Sequence, residues 1–77
     1  TIVFRKPVAG PTDLAVYDVG GRRVRSLLSG VELAAGVHRA AWDGRNQRGR
    51  RVAAGVYFYQ LGLSDGSTVS ERTVVVR

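Results

Sequence analysis

The chain of 77 residues contains no cysteine and no methionine, and His38 is its only histidine. Without cysteine it can form neither a disulfide nor a thiolate metal site, and a lone histidine cannot build a histidine-based zinc site. Domains of this size often depend on such a cross-link or on a partner. We therefore expect no metal and no cofactor, and we expect a partner surface or a parent chain to add stability.

Long apolar runs and a signal peptide are also missing, so the sequence predicts no membrane span. The length predicts one domain, residues 1–77. Because the sequence starts at Thr1 and has no methionine, we expect it to be excised or processed from a longer precursor.

Acidic residues are few, with six against twelve lysines and arginines, and the net charge is +6. This excess favours an anionic partner, either a nucleic acid or an anionic surface glycolipid. Most arginines fall in two separate segments, residues 22–25 and 45–51, and the aromatic residues cluster elsewhere. Nucleic-acid binding usually interleaves aromatic and basic residues. We therefore favour a solvated basic surface and do not favour a nucleic-acid partner.

Helical periodicity is weak, and alternating apolar residues predict six to seven strands. Turns are predicted at Gly10-Pro11, Gly20-Gly21, Ser29-Gly30 and Asp65-Gly66. The segment 31–35 is ambiguous and could form a helical turn. The predicted strands are residues 1–6, 14–19, 22–28, 37–42, 56–63 and 68–77. Short strands at this spacing are typical of an all-β sandwich or barrel.

The stretch from residue 40 to residue 61 predicts a strand, a long polar turn and a second strand. Asp43 could accept backbone N–H groups in this turn, with glycines in left-handed conformations. A calcium loop is the functional alternative, but nearby arginines repel a cation. We favour the structural turn. The residues predicted to form core and turn are Trp42, Asp43, Gly44, Gly49, Gly55, Tyr57 and Tyr59.

No residue pattern predicts catalysis. His38 has no serine or cysteine partner at a motif spacing, and no glycine-rich phosphate loop follows a strand. We therefore expect the chain not to be an enzyme.

The aromatic residues around Trp42 and Tyr57 could form a platform for a sugar if two rings were coplanar and exposed.

The two terminal strands are apolar and β-branched, so an exposed edge there would invite pairing with another chain. The flanking charges, Lys6 among them, resemble gatekeepers against aggregation. The first candidate edge strand is Thr1, Ile2, Val3 and Phe4. The second segment, a candidate for sorting or strand exchange, is Glu71, Arg72, Thr73, Val74, Val75, Val76 and Arg77.

Four ordered segments carry a resemblance to known modules: 14–24, 33–38, 42–45 and 49–59. They resemble the immunoglobulin-like domain of the flagellar hook-capping family. They are also similar to the C-terminal sorting domains of proteins exported by type IX secretion. Either resemblance implies a small immunoglobulin-like (fibronectin III-like) antiparallel β-sandwich of six to seven strands.

For function, we place the sorting-domain resemblance first. It implies a non-catalytic module that the export machinery recognises, in a secreted or cell-surface protein of a Gram-negative-type bacterium. The alternative is a structural subunit of an extracellular filament, which adds a strand to a neighbouring identical subunit. A weaker alternative is an accessory carbohydrate-binding module.

Overall fold

A computed structural model describes residues 2–76, which form six β-strands and no helix. The strands pair antiparallel in two sheets, one of order β1-β4 and one of order β3-β2-β5-β6. This arrangement confirms the predicted all-β, immunoglobulin-like sandwich. No helix among residues 2–76 is long and apolar enough to cross a membrane. The strands are β1 (Ile2–Lys6), β2 (Gly10–Tyr17), β3 (Arg23–Leu33), β4 (Gly36–Ala40), β5 (Gly55–Gly62) and β6 (Thr68–Val75).

The core lies between the two sheets. Period-two alternation turns Ile2 and Phe4 of β1 inward, where they pack against Leu14 of β2 and Leu61 of β5. All four side chains are buried. Burial of one such side chain contributes about 1.5–3 kcal/mol relative to an exposed one, so this cluster holds the small sheet onto the large one.

The predicted turn at Gly10-Pro11 is wrong, because both residues belong to β2. Pro11 lacks an N–H and is tolerated in a strand only where one edge is free. Here Pro11 pairs with Glu32 of β3, whereas the pairing of β2 with β5 begins only at Asp13. The missing N–H of Pro11 therefore removes no backbone hydrogen bond between β2 and β5.

The predicted break at Ser29-Gly30 is also wrong, since β3 continues through it to Leu33. The pairing shifts between Thr12 and Leu14 of β2, which is where Gly30 takes a positive φ of 62°. The carboxylate of Asp13 accepts the Gly30 N–H at 2.7 Å. The glycine thus makes a bulge inside a long strand, and residues 31–33 are strand rather than helical turn.

Other boundaries differ by a few residues. The strand predicted to reach Trp42 ends at Ala40, and β6 ends at Val75. Of the two turn glycines after β2, only Gly21 has a positive φ, of 83°. The parts of the terminal-strand predictions that fall on Thr1 and Arg77 lie outside the described residues.

Lys6 is buried, with only 2% of its surface exposed, so the expectation of a solvent-facing gatekeeper is wrong at this position. Its ammonium donates to the Thr12 hydroxyl at 2.6 Å and, at 3.5 Å, to the Gly10 carbonyl. The Thr12 hydroxyl in turn donates to the Gly10 carbonyl at 3.1 Å. Alternation places residue 6 on the same inward face as Ile2 and Phe4, so the backbone determines this burial.

Replacing Lys6 by methionine should leave the free energy of unfolding within about 1 kcal/mol of the parent value or raise it, because a similar volume is kept and a buried charge is removed. Lys6→Ala should lower it by about 2–4 kcal/mol through the cavity it leaves. Urea denaturation followed by circular dichroism measures both. Equal losses in the two variants would show instead that the ammonium itself stabilises the fold.

Gly10 allows no side chain at the start of β2. Its φ is +148°, and a Cβ there would lie 2.7 Å from the Ser64 hydroxyl oxygen and 2.8 Å from the Ser64 Cβ. Gly10→Ala is therefore expected to lower the free energy of unfolding by about 2 kcal/mol or more. The matched control is Gly62→Ala in β5, which has no positive φ and whose nearest contact would be 3.6 Å. Similar stability of both variants would refute the steric argument.

Candidate functional site

The long polar turn after β4 is built by short-range hydrogen bonds from Asp43 and Asn46. The Asp43 carboxylate accepts the Arg45 N–H at 3.1 Å, and the Asn46 side-chain oxygen accepts the N–H groups of Arg48 and Arg50 at 3.0 Å each. Gly44 and Gly49 both adopt positive φ angles, of 75° and 80°. This segment, residues 43–52, is called the arginine loop below. Its fold follows from local turn chemistry.

Trp42 fixes the start of the arginine loop to the core. Its indole N–H donates to the Arg45 carbonyl at 2.9 Å. The rings of Trp42 and Tyr57 pack edge to face, with centroids 5.4 Å apart and an interplanar angle of 67°. Tyr57 is buried and donates its hydroxyl to the Ala53 carbonyl at 2.7 Å. An edge-to-face pair of this kind adds about 0.5–1.5 kcal/mol beyond its burial. Both ends of the loop are therefore tied to aromatic side chains.

The arginine loop also packs onto the outer edge of β3. The Gln47 N–H donates to the Val24 carbonyl at 2.9 Å, and the Gln47 side-chain oxygen accepts the Ser26 N–H at 2.8 Å. Arg25 donates to the Asn46 carbonyl at 3.3 Å and lies 3.5 Å from the Asp43 carboxylate. These contacts satisfy backbone groups that an edge strand would otherwise leave unpaired.

The turn between β2 and β3 is organised by Asp18. One carboxylate oxygen accepts the N–H groups of Gly20 and Arg22 at 2.9 Å each, and the other lies 3.3 Å from the Arg22 guanidinium. The hydrogen bond from the Arg22 backbone is the largest of the causes that hold the pKa of Asp18 below its usual value. Asp18 therefore stays ionised at neutral pH and is fully engaged within its own turn.

Contact between the arginine loop and β3 joins the two arginine-bearing segments of the sequence. Six of the seven arginines are exposed and Arg25 is half-buried, while Asp18 and Asp43 are the acids beside them. Sequence reasoning kept the two segments apart, because nothing in a local pattern predicts that Gln47 pairs with Val24. We call the combined surface the arginine surface; its cations are Arg22, Arg23, Arg25, Arg45, Arg48, Arg50 and Arg51.

An open depression of about 440 Å³ lies where the two segments meet. Arg22, Arg23 and Arg48 line its sides, and Val24 and Val52 add apolar surface. The Asp18 carboxylate, which is engaged by Arg22, also belongs to the lining. We call it the arginine depression. It is the place where charge and a concave shape coincide.

Asp43, the candidate calcium ligand, has its carboxylate oxygens engaged by other protein groups. The carboxylate accepts a backbone N–H and lies 3.5 Å and 3.8 Å from the guanidinium groups of Arg25 and Arg45. Within residues 2–76, no group of three or more acidic or histidine side chains is placed to hold a metal. The carboxylate thus serves as a partner for cationic side chains.

Most of the predicted strand-exchange segment lies in β6, at an edge of the large sheet. The strand pairs with β5 along one side, and no strand among the described residues pairs with the other. Glu71 accepts the Tyr59 hydroxyl at 2.7 Å, and this hydrogen bond is the main reason that the pKa of Tyr59 is raised. Val74 and Val76 are exposed. Six of the eight residues of β6 are exposed, and Thr73 and Val75 are half-buried.

The first candidate edge strand is only partly free. Ile2 and Phe4 are buried in the core, Val3 is exposed, and β1 pairs with β4 along one edge. A depression of about 270 Å³ separates Ile2 and Gly44 from the end of β6. Thus β1 and β6 approach each other without pairing in the described part of the chain.

The remaining aromatic and histidine candidates do not converge. The rings of Trp42 and Tyr57 meet edge to face, and Phe58 is exposed on the opposite side of its strand from Tyr57 and Tyr59. His38 stacks on Phe4 at 5.7 Å, and its Nε2 lies 2.7 Å from the Ala34 carbonyl. These positions give neither a coplanar pair with Trp42 nor a catalytic grouping at His38.

Comparison with known proteins gives a family match across most of the chain. The family model described as the FlgD Ig-like domain matches residues 5–67. The chain is 43% identical over 53 residues to the basal-body rod modification protein FlgD of Salmonella typhimurium (strain LT2), and equally to that of Salmonella typhi. The match covers 69% of this chain and 22% of each relative, so the chain spans about a fifth of their length.

These matches correct the functional predictions made from the sequence. They support the flagellar hook-capping resemblance and not the type IX sorting domain. The predicted roles as a sorting module, an extracellular filament subunit or a carbohydrate-binding module are therefore wrong. The predicted secreted or cell-surface location is wrong as well, since the matched relatives are named for the basal-body rod.

No solved structure matches the chain significantly. The assignment therefore depends on the family model and on the two Salmonella relatives, and the two-sheet β-sandwich agrees with it. With residues 5–67 covered by one family model, the chain belongs to the family of FlgD Ig-like domains.

Proposed function

We propose that this chain is a non-catalytic module of a flagellar assembly scaffold, and that it works by contacting other protein subunits of the rod or hook. The observation that carries the proposal is the family match over residues 5–67. The Salmonella relatives are named as proteins that modify the basal-body rod. A protein that modifies an assembly needs surfaces for its subunits.

The use of polar groups in the described residues supports a binding role over a catalytic one. Asp18 and Asp43 accept N–H groups within their own turns, and Asp65 does the same for Ser67. Each carboxylate therefore stabilises a turn. His38 interacts with the Ala34 carbonyl and with Phe4, away from these acids.

Two surfaces are available for protein contacts. One is the arginine surface, which carries most of the positive charge of the chain. The other is the free edge of β6, which includes residues 71–75 of the predicted exchange segment. An unpaired strand edge can accept an extended segment of a partner through backbone hydrogen bonds.

A domain exchange tests the flagellar role. We expect that replacing the matching 53 residues of the Salmonella typhimurium relative by those of this chain preserves swimming motility, because 43% identity over this stretch maintains the fold and many surface residues. Soft-agar swimming and electron microscopy of flagella measure the outcome.

A chimera with an unrelated fibronectin III-like domain of similar size serves as the control and should be non-motile. Immunoblots establish that both chimeras accumulate to the parental level. If this chain's chimera accumulates normally but its cells assemble no flagella, the proposed function is wrong.

A further inference from the structure

The positive charge of the chain is concentrated on one part of its surface. The arginine surface holds seven arginines against two aspartates, whereas the rest of the chain has five cations and four acids. Almost the whole net charge of +6 therefore lies there. A single-sign concentration of this kind raises the local concentration of oppositely charged partners and speeds their association.

The hydrogen-bond acceptors of the arginine surface are used internally, whereas only three of its seven guanidinium groups, those of Arg22, Arg25 and Arg45, contact a carboxylate or a carbonyl of the described residues. Asp18, Asp43 and Asn46 accept backbone N–H groups within their own turns. Within residues 2–76, by contrast, the guanidinium groups of Arg23 and Arg48 form no ion pair with a carboxylate. The surface thus offers donors to an incoming anion. Guanidinium groups in particular suit carboxylates, which they can bind through two parallel hydrogen bonds.

The arginine depression adds an apolar element to this charge. Val24 and Val52 are half-buried in its lining, beside the buried ring of Tyr57. An apolar side chain placed there would be surrounded by guanidinium groups from two different segments. The site therefore suits a segment in which acidic residues flank an apolar one.

We propose that the arginine depression binds an acidic, extended segment of a flagellar partner protein, an inference that rests on the proposed function. One apolar side chain of that segment would pack over Val24 and Val52. Single-stranded nucleic acid fits less well, because bases stack on exposed rings and the aromatic side chain in the depression, Tyr57, is only 9% exposed. Its hydroxyl is also occupied by the Ala53 carbonyl.

Fluorescence anisotropy with labelled peptides tests the proposal on the 77-residue chain. A peptide of repeated Glu-Glu-Leu triplets should bind, a Gln-Gln-Leu peptide should not, and a Glu-Glu-Ser peptide should bind more weakly than the first. Combining Arg23→Gln with Arg48→Gln should weaken binding of the first peptide by about tenfold or more, because two charge-assisted contacts are lost.

The matched control combines Arg5→Gln with Arg39→Gln, which removes the same charge from exposed positions of β1 and β4. Since exposed charges at a distance are screened by salt, this variant should lose less than about threefold. Circular dichroism melting verifies that both variants are folded. Equal losses in the two variants, or no loss in the first, would overturn the proposal.

Two further ligands test the alternatives. An oligothymidylate of the same charge and vesicles containing phosphatidylglycerol should both bind more weakly than the Glu-Glu-Leu peptide. Tighter binding of either would overturn the proposal in favour of nucleic acid or an anionic membrane. If the Glu-Glu-Leu peptide binds as expected but the chimera is non-motile, the proposed function alone is refuted. If the chimera is motile but the chain does not distinguish the Glu-Glu-Leu peptide from the other two peptides, only this inference is refuted.

Discussion

The two hydrogen bonds between Gln47 and the edge of β3 determine the surface of this domain. They join Gln47 to Ser26 and to Val24, which lie 21 and 23 residues before it in sequence. Each contributes only about 0.5–1.5 kcal/mol of net stability, but together they fix the position of the loop. They protect the edge of β3, and they bring two basic segments next to each other despite mutual repulsion. Asp43 offsets part of that repulsion through Arg25 and Arg45.

The opposite edge of the large sheet has no comparable cover. Among the described residues, β6 is paired on one side only, and its end approaches the start of β1 across an open depression. The sandwich is therefore asymmetric, with a closed, basic edge at β3 and an open edge at β6. The hydrogen bond from Tyr59 to Glu71 ties β6 to β5 on the core-facing side. A module with two different edges can contact two different partners.

The fold could be predicted from the sequence because alternation and turn residues are local signals. Ile2 and Phe4 face inward as their spacing indicates, and Asp65-Gly66 lies in the turn between β5 and β6. Gly30 misled the prediction because a glycine with positive φ can make a bulge as readily as a turn. The burial of Lys6 escaped prediction because a polar residue at an inward position needs the Thr12 hydroxyl, which belongs to another strand.

The candidate site was less predictable than the fold. Turn chemistry around Asp43 and Asn46 is local and could be inferred, whereas the contact of Gln47 with Val24 and Ser26 depends on tertiary packing. The choice between two resembling families failed for a similar reason. A short apolar strand between arginines, such as residues 73–76, suits many β-proteins, so it could not identify a sorting domain.

Amide hydrogen exchange of Gln47 and Ser26, measured by nuclear magnetic resonance on the 77-residue chain, tests most directly whether the arginine loop is fixed to β3. We expect both amides to exchange as slowly as those within β2, and we expect Gln47 to show nuclear Overhauser contacts to Val24. Fast exchange at both positions, with no contact between residues 47 and 24, would mean that the two arginine segments move independently and form no common surface.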